Sequence, residues 1–179
     1  MQLIIDLPNR EESLSFHRKR WDEVSRDRTL SAYQGRIETN AQGQIIMTPP
    51  AGGSHSTRQY RIAKQLDHLL GGQPHTECPV LTSDGVKAVD AGWYSDGRHA
   101  AIRGQIAFEI APEICVEILS PSNTQQSIRN KFRLYFEAGA VECLVCDLNG
   151  RMTHYLDGDA DTPHPKSKLC PDFPREISD

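Results

Sequence analysis

The stretch VEILSPS, residues 116–122, sets Glu117 inside an apolar run just before a proline-marked turn. In EICVEILS, strand alternation puts Ile114, Val116 and Ile118 on one face, with Cys115, Glu117 and Leu119 on the other. Neither face is polar, so a central strand is expected. A carboxylate buried there is strongly disfavoured, or stays protonated, unless a positive partner meets it. VKAVDAGWYS repeats the anomaly, with Asp90 the one acid among apolar neighbours. Two carboxylates that close repel, and a divalent cation that takes hard oxygen ligands, Mg2+ or Mn2+, relieves the repulsion. In NTQQSIRNKFRLYFEAG, Ile128, Phe132 and Tyr135 form an inward stripe at i, i+4 and i+7, and Lys131 falls within it. Taken singly, Asp90 reads as a solvated strand end, Glu117 as a structural ion pair and Lys131 as a side chain snorkelling to water. Together they are the inventory of a metal-dependent phosphodiesterase. Asp90 and Glu117 hold the metal, which polarises phosphate and activates water, and Lys131 stabilises charge or orients the nucleophile.

The elements that must position these groups follow from periodicity and breakers. SFHRKRWDEVSRDR reads as an N-terminal helix, followed by a strand pair, AYQGRIET and GQIIMT, around turn residues 40–43. After TPPAGG, Ser54 is the expected cap of a helix running to about Leu70, its core stripe Ile62, Leu66, Leu69 and Leu70, and Gly71 and Gly72 stop it. Strands are expected at HTECPVLT, VKAVDAGWYS and EICVEILS, with a looser polar stretch around 97–104. A helix over about 123–138, capped by the Ser-Asn-Thr cluster, leads to strands VECLVCDL and RMTHYL, and 157–168 reads as a loop. This order predicts an α/β fold with a mixed β-sheet flanked by helices.

Composition narrows the function classes. A chain of 179 residues with 37% hydrophobic and 25% charged residues suits one globular core, and the net charge of -4 confines any nucleic-acid contact to a local patch. No apolar run reaches membrane-span length, and MQLIIDLPNREES turns acidic too early for a secretory signal, so a cytoplasmic protein without membrane partners is expected. Of the five cysteines, Cys143 and Cys146 form a C-x-x-C, but a strand sends them to opposite faces, and they read as buried hydrophobes. No Gly-rich phosphate loop follows a strand, so no nucleotide cofactor is expected.

RIETNAQGQIIMTPPAGGSHS, VKAVDAGWYS, PEICVEILSPSN, NKFRLYFEAGAVECLVCDLNGR and KLCPDFPREIS resemble successive blocks of a restriction-endonuclease-like family. That bacterial group, long filed as a domain of unknown function, belongs to the PD-(D/E)XK nuclease superfamily. The resemblance runs from about Tyr33 to the C-terminus. It implies a restriction-endonuclease-like domain over 33–179, behind an N-terminal helical extension over 1–32, and metal-dependent cleavage of DNA. It aligns Asp90 with the aspartate of the PD block, Glu117 with the second metal-binding acid, and Lys131 with a helical lysine that replaces the usual one. Glu38 matches an N-terminal acidic position that completes the site. Two departures stand out: Leu119 occupies the place of the superfamily lysine, and Val89 that of the PD proline, which ligates nothing.

The expected catalytic set is therefore Asp90, Glu117, Lys131 and Glu38, with Mg2+ or Mn2+ on the first two, DNA as substrate and a homodimer, since cutting both strands commonly needs two sites. The alternative is an inactive module on the same fold that binds nucleic acid or protein. Smaller expectations attach to His55, which with Gln59 extends a helix stripe toward the site, and to 17–20, Arg26 and Arg28 as phosphate contacts. Lys87, on the opposite strand face from Asp90, is a poor substitute for Lys131, and Trp93 and Tyr94 read as packing residues.

Overall fold

The computed structural model describes residues 10–178. The opening stretch read as carrying no secretory signal lies partly outside it, in residues 1–9. Eight strands and five helices follow in the order α1 (Arg10–Arg26), α2 (Arg28–Ser31), β1 (Arg36–Thr39), β2 (Ile45–Thr48), α3 (Gly53–Leu70), β3 (Gln73–Thr82), β4 (Gly85–Tyr94), α4 (Asp96–Ile102), β5 (Ile114–Ile118), α5 (Gln125–Glu137), β6 (Glu142–Cys146), β7 (Met152–Leu156) and β8 (Asp159–His164).

Strands β3 to β8 form one sheet in chain order. Only β5 and β6 pair in parallel, because α5 carries the chain back across the sheet between them. The other neighbours are antiparallel. Ile62 and Leu66 of α3 pack on one face against Ala91, Ile114, Val116 and Leu144, joined by Cys170, Phe173 and Ile177 of the C-terminal segment. Ile128, Phe132 and Tyr135 of α5 cover the other face, against Cys78, Val80, Cys115, Cys143 and Val145. The sheet is thus buried on both sides, as apolar alternation on both faces of β5 requires. Cys143 and Cys146 do fall in opposite layers, and both are buried free thiols.

A small β1–β2 hairpin packs on β4. Its turn closes through Asn40, whose side-chain oxygen accepts from the N–H of Gln42 and Gln44, with Gly43 at φ 71°. The C-terminal segment is held by Glu142, a fully buried carboxylate that accepts from the Ser167 hydroxyl at 2.6 Å and the Lys168 and Leu169 N–H groups at 2.5 Å.

Several local expectations need correction. The looser stretch around 97–104 holds α4 instead, started by Ser95 capping the Arg98 N–H; only Ile102 of that helix is buried, too weak a periodic signal to read. The loop expected over 157–168 contains β8, a polar edge strand held by the β7 ladder and not by apolar alternation. Gly52, not Ser54, caps α3, which begins at Gly53, and Leu69 points outward. The N-terminal helix, described over Arg10–Arg26, gives way at Asp27, whose carboxylate caps the short α2.

Candidate active site

Strands β4 and β5 pair up to Ala91 opposite Val116. One rung further, that register sets Asp90 opposite Glu117, at the separation where cross-strand side chains touch. The regular backbone ladder stops there, and the Ile118 N–H donates to Asp90 Oδ2 at 2.6 Å. Val89 packs with the α5 layer and Ala91 with the α3 layer, so strand alternation is interrupted at Asp90. Opposite it on β3, between the pairs Thr76–Ala91 and Cys78–Val89, stands Glu77 with φ 53°, the one positive-φ residue other than glycine among the described residues.

Each acid has its own set of donors. Tyr135 donates its hydroxyl to Glu117 Oε1 at 2.7 Å, and Lys131 Nζ reaches Glu117 Oε2 at 3.0 Å and Glu38 Oε1 at 3.3 Å. Glu38 also accepts the Ala88 N–H at 2.8 Å, which ties β1 to β4. Arg36 pairs with Asp90 Oδ1, while its Nε and Nη2 meet both oxygens of Glu77 at 2.9 and 2.7 Å. His55 Nε2 lies 3.4 Å from Asp90 Oδ2, and the Gln59 amide donates to the Asp90 carbonyl and to Glu77. Arg36, Glu38, His55, Glu77, Asp90, Glu117 and Lys131 border an open cleft of about 1170 Å³, walled also by Trp21, Tyr33 and residues 120–123.

The electrostatics follow burial and partner. Burial pushes the Glu117 carboxyl up to about 7, against the pull of Lys131 and with the push of Asp90. Burial acts on Asp90 in the same sense, but the His55 contact, the Arg36 charge and the Ile118 N–H outweigh it and hold the carboxyl below its ordinary value. Lys131 resists the neutralising effect of burial because Glu117 and Glu38 surround it, and its ammonium lies above the usual range. His55 is raised, chiefly by Asp90. Four acids, Glu38, Glu77, Asp90 and Glu117, face two permanent cations, Arg36 and Lys131, with His55 beside Asp90, so acids outnumber the permanent cations at the site.

The candidate donors are hard carboxylate oxygens. Among the described residues no group of three or more His, Cys, Asp or Glu side chains is gathered to hold a metal. Two opposed carboxylates nevertheless fit Mg2+, which takes one or two protein acids and fills its shell from water and phosphate.

The four residues expected from the sequence, Asp90, Glu117, Lys131 and Glu38, are brought together. Leu119 packs beside the α5 layer, and the lysine reaches Glu117 from the helix instead. His55 and Gln59 stand at Asp90. Lys87 turns away, to the Thr39 carbonyl and Asp84. Trp93 and Tyr94 donate to the carbonyls of Gly71 and Ile110, as packing residues do. His17 is buried, and Arg18, Arg20 and Arg26 pair with Glu109, Glu23 and Asp22. Three contributors escape the sequence reading: Arg36, Glu77 and the Tyr135 hydroxyl. Arg36 lies two residues before Glu38 on the same strand face, and Glu77 is an acid within the apolar strand HTECPVLT, the signal that marked Glu117.

The mixed sheet between helices, with Asp90 inside β4 set against Glu117 near the end of β5, matches a nuclease-like fold. A solved structure from Anabaena variabilis ATCC 29413, described as "a putative nuclease belonging to DUF820", superposes with a TM-score of 0.63 at 18% identity, covering 81% of this chain and 88% of that one. The Uma2 family model, described as "Putative restriction endonuclease", matches residues 25–168, and the chain belongs to that family. A search of curated proteins gives no match. No helix among the described residues is long and apolar enough to cross a membrane.

Proposed function

We propose that the protein is a Mg2+-dependent (or Mn2+-dependent) endonuclease that hydrolyses DNA phosphodiester bonds in the cleft above β4 and β5. The opposition of Asp90 and Glu117, with the Lys131 ammonium bridging Glu117 and Glu38, carries this reading. Asp90 and Glu117 would hold the ion. When bound, the ion supplies Lewis acidity toward a phosphate oxygen and lowers the pKa of a coordinated water. Lys131 sets a positive charge beside the acids, where it offsets charge growing on the phosphate in the transition state. Glu38 keeps that ammonium at the cleft, and Ile118 and His55 orient the Asp90 carboxylate. In this reading the N-terminal extension runs to residue 32, its described part carrying α1, whose Trp21 borders the cleft, the domain spans 33–179, two copies serve the two DNA strands, and the protein works in the cytoplasm.

Plasmid incubated with Mg2+ tests the proposal: wild type nicks or linearises it, and Asp90→Ala is slower by roughly a hundredfold or more. Equal rates for the two proteins sink the catalytic reading. A second reading, a module that binds nucleic acid or protein without cutting, draws on Leu119 and on the protein donors that already meet every oxygen of Asp90 and Glu117. Calorimetric titration with Mg2+ separates the two, since this module need not take up the ion.

A further inference from the structure

The arginine on Asp90 is placed to be displaced. Arg36 holds Glu77 with two nitrogens, Nε and Nη2, and spends on Asp90 only the Nη2 that already serves Glu77. The Glu77 grip is complete without Asp90. Gln59 fixes Glu77 in turn at 2.8 Å, and Glu77 itself stands in the left-handed region at φ 53°. A side-chain-bearing residue keeps that backbone only where its surroundings over-determine it, and such positions gather at functional sites. A guanidinium cannot shed its proton to make way for another cation, so any ion seeking Asp90 Oδ1 must compete with a full positive charge. Arg36 is 18% exposed and borders the cleft through which a phosphate would arrive.

We propose that Arg36 is an exchangeable internal counter-ion of Asp90. When the divalent ion takes Asp90, the guanidinium is retained by Glu77 alone and its freed edge meets the phosphate of the incoming nucleic acid. Glu77 is then a positioning residue that acts through Arg36. This inference rests on the metal-dependent reading of the same site.

Calorimetric titration of the full-length protein with Mn2+, together with the anisotropy of a labelled DNA duplex in Ca2+, provides the test. Arg36→Gln is expected to bind Mn2+ about tenfold more tightly, because a competing charge is gone. Its DNA affinity falls, and the slope of log affinity against log salt loses about one unit. Glu77→Gln is expected to weaken Mn2+ binding several-fold in the wild type but hardly at all in the Arg36→Gln background, since its effect runs through the guanidinium. A merely electrostatic Glu77 would weaken binding equally in both backgrounds, and that result overturns the proposal. So does Arg36→Gln that binds Mn2+ no tighter while wild type shows Asp90-dependent binding. If neither wild type nor Arg36→Gln takes up Mn2+, the metal-dependent reading itself falls and this inference goes with it. Should Arg36→Gln not fold, Arg36→Met, which also removes the charge and keeps an unbranched stem, replaces it in both arms with the same expected and overturning results.

Discussion

Asp90 and Glu117 face each other across β4 and β5, yet each is neutralised from a different direction, Asp90 by Arg36 of β1 and Glu117 by Lys131 of α5. The two acids share a neighbourhood and no donor. The donors of each can therefore be removed one at a time.

Lys131→Met leaves Glu117 buried with only the Tyr135 hydroxyl, and breaking a buried pair from one side costs on the order of 3 kcal/mol. Urea melts at pH 8 should show that loss. It shrinks as pH falls, because Glu117, already lifted to about 7, takes up a proton once its partner is gone. The double variant Lys131→Met with Glu117→Gln should recover most of the stability. In the plasmid assay Lys131→Met should cut slower by roughly a hundredfold.

Tyr135→Phe removes the donor to Glu117 Oε1 without opening a cavity. A lost hydrogen bond to a charged group costs about 1.5–3 kcal/mol. A midpoint shift in urea with an unchanged slope is the expected result, and no shift would mean that the contact contributes nothing to folding.

At a distance from the site, Gly150 has φ 85°, and a Cβ there would lie 2.1 Å from the Ile177 carbonyl oxygen. Gly150→Ala should free the C-terminal segment from the β6–β7 turn, where Ile177 N–H now donates to the Gly150 carbonyl. Glu142→Leu should loosen the same segment at its other anchor, around 167–169. Faster amide exchange over 167–178 in both variants, with exchange in β4 and β5 unchanged, checks this.

The buried histidines should weaken the fold on mild acidification. His17, His75 and His154 are all lowered chiefly by burial, so the unfolded chain binds protons more readily than the folded one. Their contribution is complete above about pH 6.5, the unfolded value, and is lost as pH falls through the lower folded values. His55, raised by Asp90, and Glu117, lifted by burial to about 7, act in the opposite sense, since the folded chain holds their protons more readily than the unfolded one. Comparison of thermal melts at pH 7.5 and 5.5 isolates the histidine contribution: on acidification His154→Gln should lose less Tm, or gain more, than wild type.

The sequence by itself determined the main layers. Apolar residues on both faces of EICVEILS and VECLVCDL demand a doubly covered sheet, and the stripe Ile128, Phe132, Tyr135 demands a helix on it. It also marked Asp90, Glu117 and Lys131, because a charge inside an apolar periodic segment has no cheap explanation there, while Glu38 entered only through the family resemblance. Only the tertiary structure decided which charges meet. Lys131 reaches Glu117 across 14 positions and Arg36 reaches Asp90 across 54, and no local periodicity encodes contacts that long-range register and helix docking create. The short helix α4 and the edge strand β8 were illegible for a related reason: each is held by partners elsewhere in the chain, not by an apolar pattern of its own. The left-handed Glu77 belongs with them, since side-chain order carries no sign of a backbone conformation that the neighbouring ion pair and strand impose.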